Sequence, residues 1–166
     1  MPSQVQAIPP GYHTVTPYLV VNDAAKAIDF YRRAFGAREK FRMEGPPGKI
    51  GHAELQIGDS IIMLADEMPQ MDNKSPQTLG GTTSGIFLYV TDVDAAFNQA
   101  VAAGAKVDMP VADMFWGDRY GKLTDPFGHS WSMATHKEDV APEEMKKRIQ
   151  AQMSQRQKDQ NTRNAG

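Results

Sequence analysis

Apolar positions along this chain fall into short blocks whose period switches between two and about 3.6, the signatures of strand and helix. The first block is Thr16-Pro17-Tyr18-Leu19-Val20-Val21, rich in β-branched and aromatic residues, and reads as a strand. Asn22-Asp23 offers a helix cap, and from Ala24 to Phe35 the residues Ala27, Phe30, Tyr31 and Ala34 fall on one helical face. Gly36 stops that helix in the usual position after the last turn. Two more strands, Lys40 to Met43 and His52 to Ile57, flank the turn Gly45-Pro46-Pro47-Gly48, and Gly58-Asp59-Ser60-Ile61-Ile62-Met63 closes the block.

The same order then recurs, with a period of roughly seventy residues. Gly85 to Val90 is the strand, Thr91-Asp92 the cap, and Val93 to Ala103 the helix, with Val93, Phe97, Ala100 and Val101 as its apolar stripe and Gly104 as its stop. Lys106 to Met109, a loop containing Pro110, Arg119 to Thr124, the turn Asp125-Pro126-Phe127-Gly128 and the strand from His129 to Met133 complete it. The expected fold is therefore α+β, two tandem βαβββ modules at 14–66 and 84–136, joined by a polar linker at 67–83. An arm at 1–13 precedes them. After His136, Pro142-Glu143-Glu144 starts a helix over 137–154 with Met145, Ile149 and Met153 on one side, and 155–166 lacks the apolar content for a packed structure and is expected to be disordered.

Composition narrows the function. The 166 residues contain no cysteine, which removes disulfides, thiolate metal sites and a Cys nucleophile. The net charge of −2, with both signs interspersed, leaves no basic stripe for nucleic acid. No apolar run approaches the ~20 residues that span a membrane. The N-terminus has neither a basic leader nor an apolar segment, so a cytoplasmic location is expected. Nucleotide-loop motifs and a Gly-x-Ser-x-Gly elbow are absent from the sequence.

Leu19-Val20-Val21-Asn22-Asp23, Ala27-Ile28-Asp29-Phe30-Tyr31, Phe35-Gly36-Ala37, His52-Ala53-Glu54-Leu55 and Trp116-Gly117-Asp118-Arg119-Tyr120-Gly121 running into Asp125-Pro126-Phe127-Gly128-His129 and Trp131 carry a resemblance. With the duplicated βαβββ order, they make the chain similar to the vicinal oxygen chelate superfamily, of glyoxalase, bleomycin-resistance and dioxygenase type, and to its PhnB-like subgroup. The resemblance implies curled sheets around a small-molecule cavity, one helix per module outside, and commonly a homodimer. It implies no single activity, since the superfamily holds metal-dependent lyases, isomerases, dioxygenases and thiol transferases as well as metal-free drug-sequestering proteins. In its metal enzymes the ligands come from the first and last strands of each module. The matching positions here are Thr16, Ile62 or Met63, Gly85 and Ser132, none of them a His or carboxylate, so the standard metal site and any other cofactor are expected to be missing.

Two clusters are the candidate site. His52, Glu54 and Gln56 alternate along one strand and share a face opposite Ala53, Leu55 and Ile57. That face either lines the cavity, with His52 and Glu54 as acid and base and Gln56 as a ligand contact, or is plain solvated sheet. Phe115, Trp116, Arg119 and Tyr120 either form an aromatic pocket with a guanidinium for an anionic oxygen, or fill core while Arg119 bridges to Asp118 or Asp125. His129 reads as a turn hydrogen-bonder, and His13 and His136 as partly exposed. The leading expectation is a small-molecule-binding protein without the standard metal. The alternative is a lyase, isomerase or dioxygenase-type enzyme on a small oxygenated substrate, using a relocated metal or His52 and Glu54.

Overall fold

The two helices that pack on the sheets each begin where an aspartate folds back on them. In a computed structural model describing residues 5–164, the Asp23 carboxylate accepts from the Lys26 backbone N–H at 3.1 Å and the Asp92 carboxylate from that of Ala95 at 3.0 Å. These caps separate strand β1 (Tyr18–Val21) from helix α1 (Ala24–Phe35), and later β5 (Gly85–Tyr89) from α3 (Val93–Ala103). Gly36 ends α1 at φ 63°, the left-handed conformation that a Cβ disfavours.

After α1 come β2 (Arg38–Glu44), β3 (Ile50–Ile57) and β4 (Ser60–Asp66). After α3 come β6 (Lys106–Asp113), β7 (Asp118–Thr124) and β8 (Ser130–His136). A 3₁₀ turn at Pro69–Met71 and a short helix α2 (Pro76–Leu79), capped by Ser75, lie between. The strands make two four-stranded sheets of identical order, β1-β4-β3-β2 and β5-β8-β7-β6, each parallel only between its first and last strands. This is the duplicated βαβββ architecture, with the two sheets not closed into one.

α1 buries Ala24, Ala27, Ile28, Phe30, Tyr31 and Ala34, and α3 buries Val93, Phe97 and Ala100, while Val101 sits at the stripe's margin. The helices pack on each other, pinned where Arg33 donates to the Ala103 carbonyl at 3.1 Å and Gln99 to that of Arg33 at 2.8 Å. One core results, running from Leu55 and Leu64 through Phe30 and Tyr31 to Phe127 and Trp131. Asp66 is buried in it without an unpaired oxygen: it accepts from the Ala24 and Ile50 backbone N–H groups at 3.1 and 2.7 Å.

Two sequence expectations are corrected. Pro110 lies inside β6 rather than in a loop; β6 is an edge strand, where a missing N–H costs no ladder bond, and its register shifts around that residue. The C-terminal helix α4 runs Pro142–Asn164, so residues 155–164 are helical rather than disordered. Once the first turns are fixed, each added Gln, Lys or Arg extends a helix at little cost even without packing. Parts of the N-terminal arm and of the tail, residues 1–4 and 165–166, lie outside the described residues. Among the described residues no helix is long and apolar enough to cross a membrane.

Candidate ligand-binding site

Strand register decides which side chains face away from the helices. Tyr18 pairs with Met63, Met63 with Glu54, and Glu54 with Phe41, so these four share the helix-free face of the first sheet. Their neighbours Ala53 and Leu55 are fully buried on the helix side, as the alternation of β3 predicts. On the second sheet Phe87 pairs with Ser132, Tyr89 with Ala134, and Ala134 with Tyr120, placing Phe87, Tyr89, Tyr120 and Ser132 on the equivalent face. A sheet face that packs on nothing in the chain ordinarily carries polar residues. Here Tyr18, Phe41, Phe87 and Tyr89 stand 50%, 50%, 46% and 66% exposed.

The first sheet holds a hydrogen-bonded chain of four side chains. Tyr12 donates its hydroxyl to Glu54 Oε2, His52 Nε2 lies 3.2 Å from Glu54 Oε1, and the Tyr18 hydroxyl lies 3.2 Å from His52 Nδ1. A carboxylate only accepts, so His52 donates through Nε2, and in a neutral ring Nδ1 then accepts from Tyr18. The bond to Glu54 holds the Tyr12 phenol above its usual pKa. Gln56 spends its amide on the Gly58 carbonyl at 3.1 Å, in the β3–β4 turn.

The second sheet holds a cleft of about 500 Å³ whose lining includes Phe87, Tyr89, Met109, Trp116, Tyr120 and Arg156. Phe87 and Tyr120 lie 5.8 Å apart at 33°, as a tilted floor, and Trp116 stands at 70° to Tyr120 as a wall. Buried Asp118 anchors that wall. Its Oδ2 accepts from Trp116 Nε1 at 3.0 Å and from the Tyr89 hydroxyl at 3.2 Å, and its Oδ1 from His136 Nδ1 at 2.8 Å. His136 also meets Asp139 at 3.0 Å, and these two carboxylates raise its pKa, the hydrogen bond to Asp118 being the largest single cause. Burial, then the Asp118 charge, raises the Tyr89 phenol.

The predicted site residues divide accordingly. Trp116, Tyr120 and Phe115 are gathered at the cleft. Arg119 is not: it alternates with Tyr120 and points to the helix side, where Asp94 of α3 takes its guanidinium in two bonds of 2.6 and 2.8 Å and Asp113 adds a third at 3.1 Å. Neither Asp118 nor Asp125 is its partner. The His52 cluster and the aromatic cleft belong to different sheets, and the cleft lining includes none of His52, Glu54 and Gln56. The two faces approach at a groove lined by both Tyr18 and Phe87. Sequence reasoning missed Phe87 and Tyr89, whose outward alternation on the Gly85–Tyr89 strand was available as a signal, and missed Gln152 and Arg156, which gave none.

The metal positions read from the sequence are resolved by register. Met63, not Ile62, faces Tyr18 and Glu54, and Thr16 precedes β1, its hydroxyl donating to the His13 carbonyl at 3.2 Å. Among the described residues no three His, Cys, Asp or Glu side chains converge as a metal would require. A thioether, a serine hydroxyl and a glycine are poor donors for a divalent ion, so these positions do not fit one.

Comparison with known proteins places these features in a family. An uncharacterized protein of Mycobacterium bovis is 50% identical over 143 residues, 84% of this chain and 91% of its own length. The crystal structure of TioX from Micromonospora sp. ML1 superposes with a TM-score of 0.59 at 30% identity, covering 75% of this chain and 98% of TioX. The PhnB protein of Bacillus cereus shares the fold at a TM-score of 0.58 and 18% identity, over 74% of this chain and 99% of that one. Residues 12–133, both sheets and both sheet-packed helices, match the sequence model of one family, and the chain belongs to it: the Glyoxalase/Bleomycin resistance protein/Dioxygenase superfamily.

Proposed function

We propose that this protein binds a small molecule on the helix-free face of its second sheet, in the cleft walled by Trp116, and does so without a metal ion at the family's usual ligand positions. The observation that carries the reading is the aromatic surface there: Phe87 and Tyr89 46% and 66% exposed beside Trp116 and Tyr120, with a volume of about 500 Å³. Small-molecule sites are typically ~300–1,000 Å³, apolar, with a few fixed polar groups. Asp118 holds Trp116 in place before any ligand arrives, which lowers the ordering cost of binding. We further propose a homodimer in which a second copy covers the exposed Tyr18, Phe41 and Met43, a patch costly to leave in water.

Calorimetric titration with neutral aromatic compounds, before and after chelation, tests this. Micromolar binding that survives chelation and falls about tenfold in W116A, equivalent to ~1.4 kcal/mol, is the expected result. Binding abolished by chelation and restored by a divalent ion, or no aromatic ligand at all, would overturn it. Light scattering reads the dimer.

A second reading rests on the Tyr12–Glu54–His52–Tyr18 chain. A histidine between a carboxylate and a phenol can move a proton to or from a bound oxygenated substrate. In that reading the protein is a lyase or isomerase, and turnover of a substrate that is lost in both H52A and E54Q would establish it.

A further inference from the structure

α4 reaches the cleft with side chains that it does not bury. Every residue from Gln150 to Asn161 is exposed, yet Gln152 and Arg156, one turn apart on the same helix face, both line the Trp116 cleft. Among the described residues neither has a hydrogen-bond or ion-pair partner, whereas Arg148, earlier on α4, is spent on Glu138, Glu144 and the Phe115 carbonyl.

The charged groups that line the cleft differ in whether they already have partners. Both oxygens of Asp118 are occupied by Trp116, Tyr89 and His136, and Asp113 at the rim is paired with Arg119 at 3.1 Å. Among the described residues, the charged lining side chain without a hydrogen-bond or ion-pair partner is Arg156, and its charge is positive. In the same lining the tilted faces of Phe87 and Tyr120, with Trp116 at 70° to Tyr120, suit a flat ring.

We propose that α4 is part of the binding site, and that its ligand is a flat aromatic molecule bearing a carboxylate or similar oxyanion. The ring lies on Phe87 and Tyr120 against Trp116, the anion meets the Arg156 guanidinium, and the Gln152 amide donates beside it. This assigns to Arg156 the anion contact that the sequence suggested for Arg119, and it rests on the reading of the cleft as a ligand site.

The test is calorimetry on the full chain with three probes of equal ring size: 2-naphthoate, 2-naphthamide and 2-naphthylmethylammonium. Naphthoate should bind about tenfold more tightly than the amide, the ammonium most weakly, and R156Q should abolish the preference for the acid while keeping the wild-type circular dichroism and Tm. R156K should keep part of it. W116A should weaken all three probes alike. If the amide equals the acid, if the ammonium binds best, or if R156Q retains the gap, the inference fails while the cleft remains a ligand site. If none of the three binds, both readings fall.

Discussion

Tyr31 and Trp131 donate to the same atom. The phenol of Tyr31, on α1, lies 2.7 Å from Asp125 Oδ2, and the indole nitrogen of Trp131, on β8, lies 2.8 Å from it, so one carboxylate oxygen joins a helix of the first repeat to a strand of the second. The other oxygen accepts from the backbone N–H groups of Phe127 and His129, both at 2.9 Å, and so shapes the turn that aims β8. Burial and this charge together push the Tyr31 phenol well above its ordinary pKa.

Removing Asp125 should therefore be among the costliest single changes in the protein. D125A leaves two buried donors and two turn amides without an acceptor, and a loss of about 3 kcal/mol or more is expected in urea unfolding. D125N, which keeps one acceptor oxygen, should lose less. A D125A midpoint equal to wild type would refute the shared-acceptor account.

Gly117 carries the connection between the Trp116 wall and α4. Its carbonyl accepts from the backbone N–H groups of Lys137 at 2.9 Å and Glu138 at 3.0 Å, its φ is +102°, and a Cβ there would overlap the Glu138 carbonyl oxygen. G117A should cost about 2 kcal/mol and loosen α4, read as faster amide exchange over 142–150.

His136 should titrate above the ordinary histidine value of about 6.5, because its charged form is held by Asp118 and Asp139. A folded pKa above the unfolded one means that the contact's contribution to stability is fully present below the unfolded value and is lost as pH rises through the folded value. NMR titration should show the elevated pKa and its partial return in D139N. The exposure of His136 makes the stability change small, so the titration itself is the decisive reading.

Arg119 is expected to be dispensable for ligand binding. R119A breaks the bonds to Asp94 and Asp113 on the helix side, and its effect on stability should shrink as salt is added. Neutral aromatic probes should bind R119A within twofold of wild type; a larger loss would return Arg119 to the site.

Local pattern was enough for much of this protein. The two caps, the glycine stops, the alternation of β3 and the repeat itself fixed the element order, because each depends on residues a few positions apart. The same alternation put His52 and Glu54 on one face, and the composition around Gly117 marked Trp116 and Tyr120. What it left undecided was every relation between distant segments. That Arg119 pairs with Asp94 on α3, that the His52 chain and the aromatic cleft occupy different sheets, and that α4 brings Arg156 to the lining of the Trp116 cleft all depend on how sheets and helices pack. A strand's period says which side chains share a face, and says nothing of what that face meets.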